Sequence, residues 1–177
     1  MPGETSILLF FNGLRAPWLD PIVGFASDWG LYVYLLALLA VLASRRTKDD
    51  ARTARDGWLA FFFSLFVSET VLKPLIGRLR PTGLASLREQ LHVLGTVPPP
   101  TSTGMPSGTA TACMAGATWI ALRFGPRWGA LAIGGAILLS LTRLYVGVHY
   151  PSDLVVGWVL GALCAIGVDR FTRWAGA

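Results

Sequence analysis

The sequence predicts an all-α integral membrane protein, a bundle of about five transmembrane helices preceded by an interfacial or re-entrant helix. Three observations predict it. Of 177 residues, 53% are apolar and only 14% charged. The mean hydropathy is +0.55, more apolar character than the interior of one domain of this size can hide from water. The apolar residues also gather into separate segments, and the basic residues divide unequally between the connections. The same figures exclude disorder, whose signature is low hydrophobicity. The net charge of +5 is interspersed with apolar runs, so the expected partner is the bilayer and no nucleic acid is expected.

The five apolar segments run over Phe25–Ala43, Trp58–Ile76, Ser107–Leu122, Trp128–Leu141 and Leu154–Val168. Several are shorter than the ~20 residues that cross a bilayer, so they are expected to extend into their polar flanks. Ahead of them, Ser6–Pro21 carries five apolar residues from Ile7 to Phe11, then Asn12, Arg15, Pro17, Trp18 and Asp20. That stretch is too short and too interrupted for a clean span. It reads as an interfacial or re-entrant helix with Trp18 at headgroup depth, and it lacks the basic start and small-residue cleavage site of a removed signal peptide.

Trp29, Trp58, Trp119, Trp128 and Trp158 fall mostly toward span ends and are read as interfacial anchors. The small-residue run Gly129–Gly135 and the Gly157/Gly161 spacing are expected to let helices approach closely. Cys113 and Cys164 sit in apolar stretches without metal-ligand spacing and read as small buried hydrophobes. Residues 1–177 are expected to form one membrane-embedded domain.

The positive-inside count sets the orientation. Arg45, Arg46, Lys48, Arg52, Arg55, Arg123, Arg127, Arg170 and Arg173 fall on one face, nine of the 15 basic residues, and that face is expected to be cytoplasmic. The other six are Arg15, Lys73, Arg78, Arg80, Arg88 and Arg143. Topology gives these six no reason to be where they are. The longest connection, Gly77–Met105, lies on their side, and a loop of that length in a small protein is more often functional than idle. Its Pro98-Pro99-Pro100 run reads as a stiff extended turn.

Three pieces of sequence meet at that outer face. Lys73 to Arg80-Pro81 closes the second span, Pro106-Ser107-Gly108-Thr109 opens the third, and Arg143 to His149 and Asp153 joins the last two. Lys73, Arg80 and Arg143 supply three cations, with the guanidinium fork matched to phosphoryl oxygens. Pro106-Ser107-Gly108 has the pattern of a helix start, where free N–H groups and the positive end of the dipole favour an anion. Ser107 adds a hydroxyl, and Gly108 lets the backbone come close. His149 and Asp153 are four residues apart, so the carboxylate can hold one imidazole nitrogen and leave the other free to attack phosphorus. Singly, each piece has a modest reading: lipid contact, a structural histidine, a helix cap. Together, in order and on one face, they describe a phosphoryl site.

These motifs closely resemble those of the type 2 phosphatidic acid phosphatase superfamily of membrane lipid phosphatases. That family's pattern is Lys-x6-Arg-Pro, Pro-Ser-Gly-His and Ser-Arg-x5-His-x3-Asp. The first is met in full by Lys73 and Arg80-Pro81, and the third by Arg143, His149 and Asp153, with Thr142 in place of Ser. The resemblance extends over nearly the whole chain. Soluble relatives such as vanadium haloperoxidases share the oxyanion pocket, but the apolar composition argues against them. The resemblance implies His149 as a nucleophile that forms a phosphohistidine and Asp153 as the group that orients it. It implies Lys73, Arg80, Ser107, Gly108 and Arg143 as the holders of the phosphoryl group. No metal and no cofactor is implied.

The second motif departs from the family. It ends in Thr109, where the family has the histidine that protonates the leaving group. A general acid is commonly worth ~10²–10⁴ in rate. Three readings stay open: a silencing substitution, a natural enzyme whose leaving group needs no acid, or a protein that only binds lipid phosphate. A diphosphate releases phosphate, a far weaker base than an alkoxide, so an anhydride suffers least from the loss. The favoured substrate is therefore an isoprenyl diphosphate such as undecaprenyl diphosphate, in a bacterial plasma (inner) membrane with the site facing outward. Phosphatidylglycerophosphate or phosphatidic acid is the alternative within the class, and a lipid phosphotransferase would use the same residues. His92, the only other histidine, is a candidate surrogate acid, with an interfacial role the simpler expectation. Glu69, one turn before Lys73, is read as the lysine's partner rather than as a catalytic group. Asp28 is expected near the outer end of the first long span, within reach of water.

Overall fold

The computed structural model describes residues 2–43, 48–96 and 98–175, the side chains of 2, 35–43 and 48–50 excepted. Its elements are helical: α1 (Pro2–Gly13), α2 (Asp20–Ala43), α3 (Lys48–Phe66), α4 (Lys73–Ile76), α5 (Ala85–Arg88), α6 (Gly108–Phe124), α7 (Pro126–Tyr145) and α8 (Pro151–Ala175). A π-helical turn, Val67–Leu72, carries α3 directly into α4, and a 3-10 turn, Pro81–Gly83, lies between α4 and α5. Among the described residues the one β-contact is an isolated bridge between Leu79 and Thr103.

Trp128–Leu141 and Leu154–Val168 lie within α7 and α8, which run past them into polar flanks. Phe25–Ala43 is extended at its start by α2, Trp58–Ile76 runs through α3, the π-helical turn and α4, and Ser107 caps the helix that holds the rest of its segment. Ser6–Pro21 resolves into α1, a short turn and the start of α2, with Leu8 and Asn12 buried against the bundle and Phe10 and Trp18 facing outward. Among the described residues, Ala51–Ile76, Pro126–Tyr145 and Pro151–Ala175 are long and apolar enough to cross a membrane. Helix α2 has 24 residues and α6 has 17. Large apolar side chains such as Leu131, Leu138, Val159 and Leu163 point away from the bundle, an exterior suited to hydrocarbon.

Helix α6 is the axis, packed on α8, α7 and α3. Its run Ala110–Ala117 is mostly small and buried, so neighbouring backbones come near. The Gly157/Gly161 pair works as expected: a Cβ at Gly161 would strike the Thr111 carbonyl and lie 2.9 Å from Ala115 N, and one at Gly157 would lie 2.9 Å from the Ser107 carbonyl. The Gly129–Gly135 run needs correction. Gly129 packs against Ala121, but among the described residues nothing lies within 4 Å of a Cβ at Gly134 or Gly135. Two tryptophans also depart from the expected belt. Trp119 is fully buried among Ala60, Ala115 and Ala165, because Gly57 on α3 leaves room for its ring. Trp158 is partly buried and donates its Nε1–H to Ser140 Oγ at 3.0 Å.

The end of the bundle where α6 finishes is closed by ion pairs that the sequence reading did not single out. Asp56 accepts from Arg55 and Arg123, and Asp169 pairs with Arg123 and Arg173, which ties α3, α6 and α8 together. Of the nine basic residues expected on that face, Arg45 and Arg46 and the Lys48 side chain lie outside the described residues. The free cysteines, Cys113 and Cys164, are buried.

Replacing Gly161 by alanine pushes a methyl into the backbone of α6. Overpacking of this kind costs roughly 1–3 kcal/mol, so the Gly161→Ala protein is expected to unfold at lower temperature in detergent, while Gly134→Ala unfolds as the parent does.

Candidate active site

The site lies at the end of the bundle where α6 begins. Helix α3 reaches it through the π-helical turn, which sits just before Pro74. A proline lacks the N–H that would bond Thr70 O in an α-helix, and its ring crowds that carbonyl; widening the turn relieves both. The chain then stops at Gly77, whose φ of +61° suits glycine. Its N–H caps the Lys73 carbonyl at 3.0 Å. Lys73 is thereby carried to the mouth of the bundle, 7% exposed. Its Nζ lies 2.5 and 2.6 Å from the two carboxylate oxygens of Glu69, so the expected i,i+4 pair is formed.

The long loop doubles back on itself. Arg80 N–H donates to the Ser102 carbonyl at 3.2 Å, and Gly104 N–H donates to the Arg78 carbonyl at 2.8 Å. The prolines contribute a turn, with Pro100 packed against Gly83. This folding brings Arg80 over His149: its Nη1 is 2.9 Å from His149 Nε2 and 3.3 Å from the Val148 carbonyl. Arg143, in the last turn of α7, donates from Nη1 to the Ser27 carbonyl at 2.7 Å and to Ser27 Oγ at 2.6 Å. Helix α2 therefore aims the third cation.

His149 is 2% exposed and Asp153 is fully buried. His149 Nδ1 lies 3.1 Å from Asp153 Oδ2, and the same oxygen accepts the Tyr150 N–H at 2.9 Å. With Nδ1–H donating to the carboxylate, Nε2 keeps its lone pair, which here accepts from Arg80. Burial pushes the His149 pKa well below its usual 6.5, and the positive charges of Arg80, Arg143 and Lys73 push the same way. The imidazole is therefore neutral at pH 7, the form a nucleophile needs.

Lys73, Arg80, Gly108, Thr109, Arg143 and His149 line one cavity of about 240 Å³, with Glu69, Leu31 and Leu65 completing its wall. Ser107 is placed differently. It is fully buried and caps α6, its Oγ facing Ala110 N at 3.5 Å, and it is absent from the cavity lining. Its N–H donates to the Asp153 carbonyl at 2.9 Å, which joins the second motif to the third through backbone. Thr142 bonds back to Leu139 O at 2.6 Å, so that departure from the family pattern falls within α7.

Two residues gain a place the sequence reading did not give them. Arg78 spans Asp153 Oδ1 at 3.3 Å, Ser152 Oγ and the Glu4 carboxylate, and stacks 4.2 Å over the Tyr150 ring. Glu4 thus links α1 to the carboxylate behind His149. The signal for Arg78 was its membership of the outer basic cluster; Glu4 carried none. His92 lies elsewhere. It is exposed, its backbone is paired with Asn12, and it lines a different cleft with Arg15 and Asp20. Asp28 accepts from Thr96 N and Oγ1 at 2.9 and 3.1 Å, anchoring the long loop to α2.

The sequence model of the PAP2 superfamily matches residues 57–176. The lipid A 4'-phosphatase of Bacteroides thetaiotaomicron is 30% identical over 161 residues, which span 89% of this chain and 72% of that protein. The undecaprenyl-diphosphatase of Sulfolobus acidocaldarius is 32% identical over 161 residues, 90% of this chain and 72% of its own. Among solved structures, that of Aquifex aeolicus LpxE superposes with a TM-score of 0.75 at 25% identity, covering 93% of both chains. The phosphatidylglycerolphosphate phosphatase of Bacillus subtilis shares the fold at a TM-score of 0.70 and 22% identity, over 97% of this chain and 85% of that one.

The depressed pKa of His149 has a thermodynamic consequence. The unfolded chain takes up a proton near 6.5 that the native pocket refuses, so this contribution to stability is complete above that pH and is lost as the pH falls from there toward the lower native value. Thermal unfolding of the substrate-free protein at stepped pH is expected to show a shallower acid-side decline for His149→Gln than for the parent.

Proposed function

Because the chain belongs to the PAP2 superfamily, we propose that it removes the terminal phosphate of a membrane lipid phosphate or diphosphate, with an isoprenyl diphosphate such as undecaprenyl diphosphate the favoured substrate. It is a phosphatase, and its working groups are those at the cavity between α3, α6 and α7. The observation that carries the reading is the pairing of His149 with Asp153 through Nδ1, which leaves Nε2 facing three cations.

In the proposed reaction, the phosphoryl oxygens are held by Lys73, Arg80 and Arg143, and the N-terminal N–H groups of α6 at Gly108 and Thr109 add donors. Arg80 exchanges its contact with His149 for the phosphoryl group, which frees Nε2 for in-line attack. The P–O bond to the leaving group breaks as the P–N bond forms. Asp153 holds the ring and stabilises the charge that develops on it. Water then releases phosphate and restores the imidazole. Ser107 acts through structure, by capping α6 and fixing Asp153.

Thr109 supports an anhydride as substrate. Its hydroxyl is no useful acid near neutral pH, and a diphosphate leaves as a phosphate that needs none. The undecaprenyl-diphosphatase relative agrees with that choice. For orientation, the opposite end of the bundle carries Arg52, Arg55, Arg123, Arg127, Arg170 and Arg173, and the positive-inside rule thereby supports a cavity on the extracytoplasmic side of a bacterial plasma membrane. The second reading, a binder of lipid phosphate, is favoured by Thr109 alone and has no use for a nucleophile backed by a carboxylate.

Phosphate release from a panel of lipid mono- and diphosphates tests the proposal. Thr109→His is expected to raise turnover of a phosphomonoester such as phosphatidic acid by ~10²-fold or more and that of an isoprenyl diphosphate by much less. Equal gains on both would remove the leaving-group argument. His149→Ala is expected to abolish release from every substrate, and release at the parent rate overturns the mechanism.

A further inference from the structure

Losing the family's histidine creates a second difficulty, in the half-reaction that the nature of the leaving group does not ease. Hydrolysis of the phosphohistidine needs water to be deprotonated as it attacks, and Thr109 is as poor a base as it is an acid. We propose that Glu69 is the general base for this step, an inference that rests on the diphosphatase reading above.

The placement carries it. Glu69 lines the same cavity as His149 and Thr109. Its carboxylate lies so close to Gly108 that a Cβ there would run into Oε1, so it stands beside the backbone that bears residue 109. Its side chain is 46% exposed, which gives water access. Asp153, by contrast, is fully buried behind His149, with Oδ2 on His149 and Tyr150 and Oδ1 on Arg78. It has no route to a water on the far side of phosphorus. Glu69 is also held on both oxygens by Lys73, which fixes its carboxylate at the cavity wall, and a carboxylate so placed can take a proton from an attacking water.

The two steps balance. In the first, His149 Nε2 bonds to the terminal phosphorus and the bridging P–O bond breaks, releasing the lipid monophosphate as an anion. The phosphoryl oxygens now compete for Lys73, and a carboxylate oxygen of Glu69 is released to accept a hydrogen bond from water. In the second step the water oxygen bonds to phosphorus, the P–Nε2 bond breaks with its electron pair returning to the imidazole, and the water proton passes to Glu69. Phosphate leaves, and Glu69 gives the proton to solvent or to the departing phosphate as Lys73 returns.

The test separates the half-reactions. Rapid-quench measurements with isoprenyl diphosphate labelled at the terminal phosphorus follow lipid monophosphate, free phosphate and acid-labile phosphoenzyme in the parent and in Glu69→Gln. The variant is expected to retain a burst of lipid monophosphate, to accumulate phosphoenzyme, and to release phosphate ~10²-fold more slowly. Adding Thr109→His to Glu69→Gln is expected to restore release to within ~10-fold of the parent, since a base is returned to the pocket. If Glu69→Gln slows burst and release together, or changes neither, Glu69 is only the partner of Lys73 and the proposal fails. Loss of both phases in Glu69→Asp, which keeps the carboxylate, overturns it likewise. A parent that never labels His149 overturns the diphosphatase mechanism itself, whereas a labelled parent with an indifferent Glu69→Gln overturns this inference alone.

Discussion

Three like charges are brought to one small cavity, and most of what is distinctive in this structure follows from holding them there. Lys73, Arg80 and Arg143 repel one another, and the cavity wall they share offers one facing carboxylate, Glu69. Each cation is therefore tied to a partner: Lys73 to Glu69 in the cavity wall, Arg143 to Ser27 on α2, Arg80 to the Val148 carbonyl. The surplus positive charge is the affinity for an anion. Burial keeps the imidazole of His149 neutral, and the same positive charge adds to that. In the proposed reaction one electrostatic arrangement thus both attracts a phosphoryl group and holds His149 in its reactive form.

Two of the supports come from outside the part of the chain that the family model covers. Ser27 and Glu4 both precede residue 57. Glu4 reaches Asp153 through Arg78, so α1, part of which reads from sequence as an interfacial or re-entrant helix, also steadies the carboxylate behind His149. At the opposite end, Asp56 and Asp169 hold α3, α6 and α8 in the relative positions that the first and third motifs require.

Much of this was legible in the sequence, for a physical reason. Apolar segments bounded by polar flanks mark helices whatever their packing, so the expected segments coincide with helical stretches of the chain, the second of them running through α3, the π-helical turn and α4. The Lys73–Arg80, Ser107–Thr109 and Arg143–Asp153 spacings placed their residues at one end because the helices alternate in direction. What stayed hidden depends on which side of a helix a residue occupies once its neighbours are known. Trp119 looks like an anchor until Gly57 is seen to open a slot for it. Gly134 and Gly135 look like packing surfaces, yet among the described residues nothing lies within 4 Å of a Cβ at either. Arg78 carried a charge without a motif, and its tie to Asp153 depends on a loop folded by the Leu79–Thr103 bridge. His92 was placed in the right loop, but its bond to Asn12 turns it toward another cleft.

The backbone link between Ser107 and Asp153, together with the glycine-mediated contact of α6 with α8, divides the pocket into two mechanical parts. His149, Asp153 and the amide end of α6 form one stiff base, where a single added methyl has nowhere to go. Lys73 opens α4 just after the π-helical turn, and Arg80 lies on a folded-back loop and reaches that base through its side chain. In the proposed reaction, headgroups of different bulk would accordingly be accommodated by adjusting the cationic wall, while the line of attack on phosphorus stays constant.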